Sequence, residues 1–125
     1  GTATTMSVID RSGNYIGGVI LPGLKVSLDS LSGKTAQLPY ISLEVPNKVI
    51  GKNTIDCMRA GIVFSNVDMI DGILDRMEKE LGETPTVIAT GGLARFITPL
   101  CRHEIIFDDA LLLKGLLILY RKNTQ

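Results

Sequence analysis

An excess of charge of either sign is missing from this chain: thirteen basic residues meet thirteen acidic ones, and the formal net charge is zero. Proteins that grip nucleic acid or an anionic membrane surface concentrate Lys and Arg on one face. No predicted helix here gathers such a cluster, which argues against a nucleic-acid partner. Cysteine is scarce as well. Cys57 and Cys101 lack metal-ligand spacing and read as reduced core thiols of a cytosolic protein, with no disulfide. No apolar run reaches the ~20 residues of a membrane span, and no secretory signal pattern precedes the first predicted strand. The nearest approach, Leu111-Leu112-Leu113 with Leu116-Leu117-Ile118-Leu119, is interrupted by Lys114 and reads as a buried helix. Repeats and low-complexity stretches are absent too. What remains is ordinary: 125 residues, 45 % apolar and 21 % charged, enough for one domain with a sizeable core.

Local patterns divide that length into alternating elements. Residues 2–9 and 15–21 are rich in β-branched side chains and are joined by a turn carrying Gly13 and Asn14, which predicts an antiparallel hairpin. Asp10 sits where aspartate fixes a turn by bonding its own backbone. Pro22-Gly23 stops the second strand. Leu24, Leu28 and Leu31 recur at helical spacing up to Gly33. Residues 34–53, with Pro39 and Pro46, show no helical period and predict a long ordered loop of the kind used for function or for contact with another chain. Thr54 is the expected N-cap of a helix reaching about Leu81, with a break expected near Ser65-Asn66. Gly82 closes it. Pro85 leads into a buried strand, Thr86–Ala89, that ends at Thr90-Gly91-Gly92. A short helical piece, a strand at 104–107 and a helix at 110–121 capped by Asp108 or Asp109 complete the order.

Two corners of this layout have the chemistry of an anion site. Gly1 has no Cβ to keep a phosphate oxygen away, and the hydroxyls of Thr2, Thr4 and Thr5 add donors. A Thr-rich edge strand favours β structure without any ligand, so the composition alone leaves both readings open. Gly91-Gly92 joins a strand to a helix start, where backbone can approach a nucleoside and free N–H groups favour anions. The same pair also serves as a tight connection. Asp68, Asp71 and Asp75 share one helical face and read as a solvated surface opposite the apolar stripe, near Arg76 and Lys79. His103 has no carboxylate or nucleophile at a recognisable spacing and reads as a surface or satisfied core histidine.

Taken together, the motifs resemble the C-terminal half of type III pantothenate kinases, members of the actin-like and sugar-kinase ATPase superfamily. The residues that carry the resemblance span the chain: Gly1-Thr2-Ala3-Thr4-Thr5, Gly17-Gly18 with Ile20–Gly23, Ser27-Leu28, Leu31-Ser32 and Thr35–Pro39. Beyond these come Ile50-Gly51-Lys52-Asn53-Thr54, Met58 with Gly61, Thr90-Gly91-Gly92 and Gly115-Leu116.

The resemblance implies an α/β, ribonuclease-H-like (actin-like ATPase) fold, a mixed sheet with flanking helices, in which residues 1–125 are the C-terminal ATPase-like domain of a two-domain kinase. It implies ATP-dependent phosphorylation of pantothenate to 4'-phosphopantothenate, the first step of coenzyme A biosynthesis, in the cytoplasm. Mg²⁺ would accompany ATP, with K⁺ or NH₄⁺ as monovalent cation. Gly1, Thr2, Gly91 and Gly92 would contact ATP, and Thr54 would hydrogen-bond pantothenate across a homodimer. The catalytic base, the first phosphate loop and the cation-holding aspartate expected just before Gly1 would lie outside residues 1–125. That leaves no catalytic residue and no metal ligand here, and no appreciable kinase activity for these residues alone. Relatives described as transcriptional accessory factors give a non-catalytic alternative. A dimerisation module built on the long helix and the 34–53 loop is another.

Overall fold

The computed structural model describes residues 3–32 and 42–124, which fall into two compact units divided between Asn66 and Val67. The first unit starts with the predicted hairpin. Strand β1 (Ala3–Ile9) pairs antiparallel with β2 (Tyr15–Pro22), from Ala3 opposite Pro22 to Ile9 opposite Tyr15, with a register shift between Val8 and Ile9. Burial alternates along both strands, the period of a one-sided ladder. The turn works as its sequence predicts: Asp10 Oδ1 accepts the N–H groups of Ser12 and Asn14, each at 2.9 Å, and Gly13 supplies the left-handed φ of 85°. At Gly18 a Cβ would collide with the Met6 carbonyl across the ladder, so the two strands approach this closely only because that residue is glycine.

Helix α1 (Leu24–Ser32) follows at the Pro22-Gly23 stop, with Leu24 and Leu28 buried. Gly33 and the stretch through residue 41 lie outside the described residues; of the predicted loop, residues 42–53 contain neither helix nor strand. Helix α2 (Thr54–Leu81) then runs for 28 residues. Its buried Met58, Ile62 and Val63 build the core of the first unit together with the α1 leucines. The break expected near Ser65-Asn66 does not occur. Asn66 is buried, and its Nδ2 donates to the Ile62 carbonyl at 2.9 Å and to Ser27 Oγ at 3.3 Å; that hydroxyl donates onward to the Gly23 carbonyl at 2.9 Å. An asparagine so employed ties α1 to α2 and no longer competes with the helix backbone.

In the second unit α2 buries Val67 and Leu74 and ends as predicted at Gly82, whose φ is 74° and whose N–H reaches the Glu78 carbonyl at 2.9 Å. Strand β3 (Val87–Ala89), helix α3 (Gly92–Ile97), a 3₁₀ turn (Thr98–Leu100) and strand β4 (Ile105–Phe107) come next. The strands pair in parallel, Val87 with Ile105 and Ala89 with Phe107, and the Asp108 N–H extends the ladder to the Ala89 carbonyl at 2.8 Å. Arg95 of α3 stacks 4.9 Å above the Phe107 ring and pairs with Asp109 at 2.8 Å, closing the crossover over β4.

Helix α4 (Leu111–Thr124) differs from expectation. It forms where predicted, and Asp108 holds its approach by accepting from the Ala110 N–H at 3.0 Å and from Lys114 Nζ at 2.7 Å. Yet none of its residues is buried, and Leu112 and Leu113 are 72 % and 68 % exposed. Its leucines spread over well more than half of the helix circumference, and none of them is buried among the described residues; hydropathy marks an apolar helix without naming what covers it.

The cysteines also correct the sequence reading in part. Both are free, but Cys57 is exposed on the first turn of α2, and only Cys101 is partly buried, where burial pushes its thiol to about 11. Among the described residues no helix is long and apolar enough to cross a membrane.

Candidate functional site

Three of the five expected ligand contacts, Thr54, Gly91 and Gly92, fall on described residues; Gly1 and Thr2 lie outside them. Thr54 opens α2 but does not cap it. The cap is Asn53: its Oδ1 accepts the Asp56 N–H at 2.9 Å, its carbonyl accepts the Cys57 N–H at 2.9 Å, and its Nδ2 donates to Asp56 Oδ2 at 2.9 Å. Asn53 thus caps the Asp56 N–H, and the Asp56 carboxylate in turn holds the Asn53 side-chain amide in place. Asparagine fits the role at least as well as threonine, which is why the cap shifts one residue toward the N-terminus. The Thr54 hydroxyl is thereby left exposed and makes no hydrogen bond among the described residues.

Gly51 explains how the preceding loop reaches this helix start. A Cβ there would stand 2.5 Å from the Cys57 nitrogen and 2.7 Å from the Asp56 carbonyl carbon, so the loop lies directly on the first turn of α2. The Cys57 thiol donates to the Gly51 carbonyl at 3.3 Å. The Gly51-to-Thr54 spacing therefore has a steric basis. Near the Thr54 and Ile55 N–H groups, Asp56 takes up part of the positive helix end, while Arg59 lies 3.9 Å from Asp56 Oδ1.

Gly91 and Gly92 sit side by side in the second unit, where β3 turns into α3. Gly91 has φ 106° and ψ 152°, a conformation essentially reserved for glycine, and its carbonyl accepts the Arg95 N–H at 3.2 Å. No atom lies within 4 Å of where a Cβ would stand on either residue, so both present open backbone at an exposed surface. Thr54 belongs to the first unit and this pair to the second.

A cluster the sequence reading dismissed lies on α2 of the second unit. Asp71 is buried, not solvated, and takes three hydrogen bonds: Oδ2 from the Arg102 N–H at 2.8 Å, and Oδ1 from the His103 N–H at 3.1 Å and from its Nδ1 at 2.7 Å. Burial pushes its carboxyl upward, but these bonds and the facing imidazole outweigh it and hold the group below the ordinary aspartate range. Asp75 accepts Arg102 Nη2 at 2.7 Å on Oδ2 and lies 3.0 Å from His103 Nε2 through Oδ1; that guanidinium holds it low as well. Glu78 Oε1 is 3.7 Å from the same nitrogen. His103 is thus a tightly partnered side chain, 10 % exposed. The spacing of the aspartates on one helix face was a visible signal. Their partner, about thirty residues downstream, was not, because the loop after the 3₁₀ turn delivers it.

Comparison with known proteins settles the lineage. The family description "Type III pantothenate kinase" matches residues 1–76, more than half of the chain. The chain belongs to the type III pantothenate kinase family. Proteins named as type III pantothenate kinases from Syntrophus aciditrophicus, Bacillus cytotoxicus and Moorella thermoacetica are 40 %, 45 % and 44 % identical to it, over 99 %, 98 % and 99 % of its length. The chain covers 49 %, 47 % and 49 % of those relatives, so it spans about half the length of the pantothenate kinases it matches. A crystal structure of a conserved Campylobacter jejuni protein assigned to a Baf family of transcriptional activators aligns with 98 % of the chain and 54 % of its own, with a TM-score of 0.61 and 20 % identity. That likeness concerns the fold. Among the described residues the chain is α/β, with one antiparallel and one parallel strand pair accompanied by helices.

Proposed function

We propose that the whole protein to which these residues belong transfers the γ-phosphate of ATP to the terminal hydroxyl of pantothenate, committing the vitamin to coenzyme A synthesis. The single observation that carries this reading is 40–45 % identity, along nearly the whole chain, to proteins named as type III pantothenate kinases. In this reading the residues form the C-terminal domain of a two-domain, actin-like ATPase fold that works in the cytoplasm as a homodimer.

Phosphoryl transfer asks the protein for position and charge stabilisation more than for covalent chemistry. Gly1 and Thr2 would receive the phosphates, and Gly91 and Gly92, open and exposed, would let the nucleoside side of ATP approach backbone. Thr54 would hydrogen-bond pantothenate; a hydroxyl released from capping by Asn53 supports that role, and the neighbouring helix N–H groups suit a carboxylate. Mg²⁺ would enter on the nucleotide, and K⁺ or NH₄⁺ would neutralise phosphate charge; the family resemblance gives neither a ligand within these residues. A non-catalytic transcriptional role has less support, since the balanced charge offers no electrostatic footprint for DNA.

The test is ADP release from ATP by the full-length protein in Mg²⁺ buffer, with and without pantothenate, in K⁺ or Na⁺. Pantothenate-dependent turnover that requires K⁺ is the expected result. A folded, ATP-binding dimer with no such turnover would overturn the reading in favour of a regulator.

A further inference from the structure

Around His103 the second unit carries more acid than its own bases balance. Asp71, Asp75 and Glu78 face the ring from α2, and among the described residues Arg102 is the guanidinium paired within the group. With a neutral imidazole the four charged side chains sum to about two negative charges.

The geometry is directional. Asp71 takes the Nδ1 side of the ring at 2.7 Å, which turns Nε2 toward the remaining carboxylates. Arg102 holds both oxygens of Asp75, Nη2 donating to Oδ2 at 2.7 Å and Nη1 to Oδ1 at 3.4 Å, and Oδ1 also stands 3.0 Å from Nε2. A carboxylate behind an imidazole, and a second donor held from behind, is the outer-shell pattern that orients metal ligands. Asp75 and Glu78 stand one helical turn apart, at i and i+3, and so aim at one point.

Nε2, Asp75 Oδ1 and Glu78 Oε1 lie 3.0 and 3.7 Å apart across the ring nitrogen, and one ligand atom from each residue falls within 4.8 Å of the others. Tetrahedral bonds of the usual zinc–nitrogen and zinc–oxygen length put ligand atoms roughly 3.3 Å apart. Those two separations bracket that value. Glu78 is the informative member. At 3.7 Å from Nε2 it lies within ion-pair range but makes no hydrogen bond to the ring, and a metal shared with Nε2 would draw it into direct contact.

We propose that His103 Nε2, Asp75 Oδ1 and Glu78 Oε1 form a binding site for one divalent transition-metal ion of the zinc class, with Asp71 and Arg102 as positioning residues and water completing the shell. One nitrogen and two carboxylate oxygens suit such an ion, and its two positive charges match the local excess of acid. The site would pin the loop ahead of β4 to α2. It is independent of the kinase reading, because none of its ligands is a proposed ATP or pantothenate contact.

The test uses the full-length protein carrying Cys57→Ser, which removes the exposed thiol as a competing ligand. Co²⁺ is followed by its visible absorption, and Zn²⁺ by competition and by the shift in Tm. One equivalent of Co²⁺ with tetrahedral-type bands is expected, together with a Zn²⁺-dependent rise in Tm. Glu78→Gln, which leaves the Asp71–His103 pair untouched, should weaken binding by about 100-fold, and His103→Gln should abolish it. Failure to bind Zn²⁺ at micromolar concentration would overturn the proposal, leaving a histidine ring held between two carboxylates. Binding that survives Glu78→Gln and His103→Gln unchanged would overturn it equally.

Discussion

Asp71 and His103 meet through a 2.7 Å contact between Oδ1 and Nδ1, and the same carboxylate also receives the backbone N–H groups of Arg102 and His103. One buried acid thus fixes both the main chain and the ring of the loop that enters β4. Replacing it with alanine strands two N–H groups and an imidazole in a largely dry site. Asp71→Ala should lower unfolding free energy by roughly 3 kcal/mol, read by urea denaturation. A loss under about 1 kcal/mol would show that water replaces the carboxylate at little cost.

The pH dependence has a definite sign. The Asp71 carboxyl is held below its ordinary value of 3.8 in the folded state, so the unfolded chain takes up the proton first. The contribution is complete above about pH 5 and is lost as pH falls through 3.8 and below. Thermal unfolding measured from pH 6 to pH 2.5 should show a steeper acid loss for the native chain than for Asp71→Asn. Parallel profiles would remove Asp71 from the acid transition.

At the head of α2, the cap residue Asn53 stands beside Thr54, the proposed pantothenate contact, so the two roles should separate by mutation. Asn53→Ala removes the cap and should cost about 1 kcal/mol. Thr54→Val leaves the cap in place and should change stability by no more than about 0.5 kcal/mol. In the full-length protein the same valine should raise KM for pantothenate at least tenfold with little change in KM for ATP. An unchanged pantothenate KM would remove Thr54 from the substrate site.

Gly91 offers the complementary measurement. Nothing blocks a Cβ there, but the backbone at φ 106° and ψ 152° does not suit an L side chain. Gly91→Ala should cost about 1–3 kcal/mol through the backbone alone and raise KM for ATP. Gly92→Ala, with equally open space and no positive φ, should be mild in stability, so any rise in its KM for ATP would report on the ligand.

Much of this architecture was readable in the residues because its causes are local. The hairpin turn follows from Asp10 and Gly13, α1 from the leucine spacing, and the end of α2 from Gly82. The Thr54 cap was misplaced by one residue because two adjacent good capping residues compete and only geometry decides between them. Ser65-Asn66 suggested a break because Ser27, the partner that occupies the Asn66 amide, lies 39 residues earlier. The Asp71 cluster was hidden for the same reason. Spacing on one helix shows that carboxylates share a face, but the residue that meets them comes from a loop whose path depends on tertiary structure. Family motifs outlined the proposed ligand residues Thr54, Gly91 and Gly92, whereas the His103 group belongs to none of those motifs and is assembled only by the tertiary fold.

The leucine-coated surface of α4 has a consequence for how this polypeptide breathes. A helix of 14 residues is marginal in water by itself, and α4 gains little from packing because none of its residues is buried. Its amide protons should therefore trade with solvent deuterium in brief local openings, while those around Ile62 and Val63, 2 % and 0 % exposed, wait for a far larger unfolding event. In the 125-residue polypeptide, exchange would sort the two helices by burial despite their shared secondary structure.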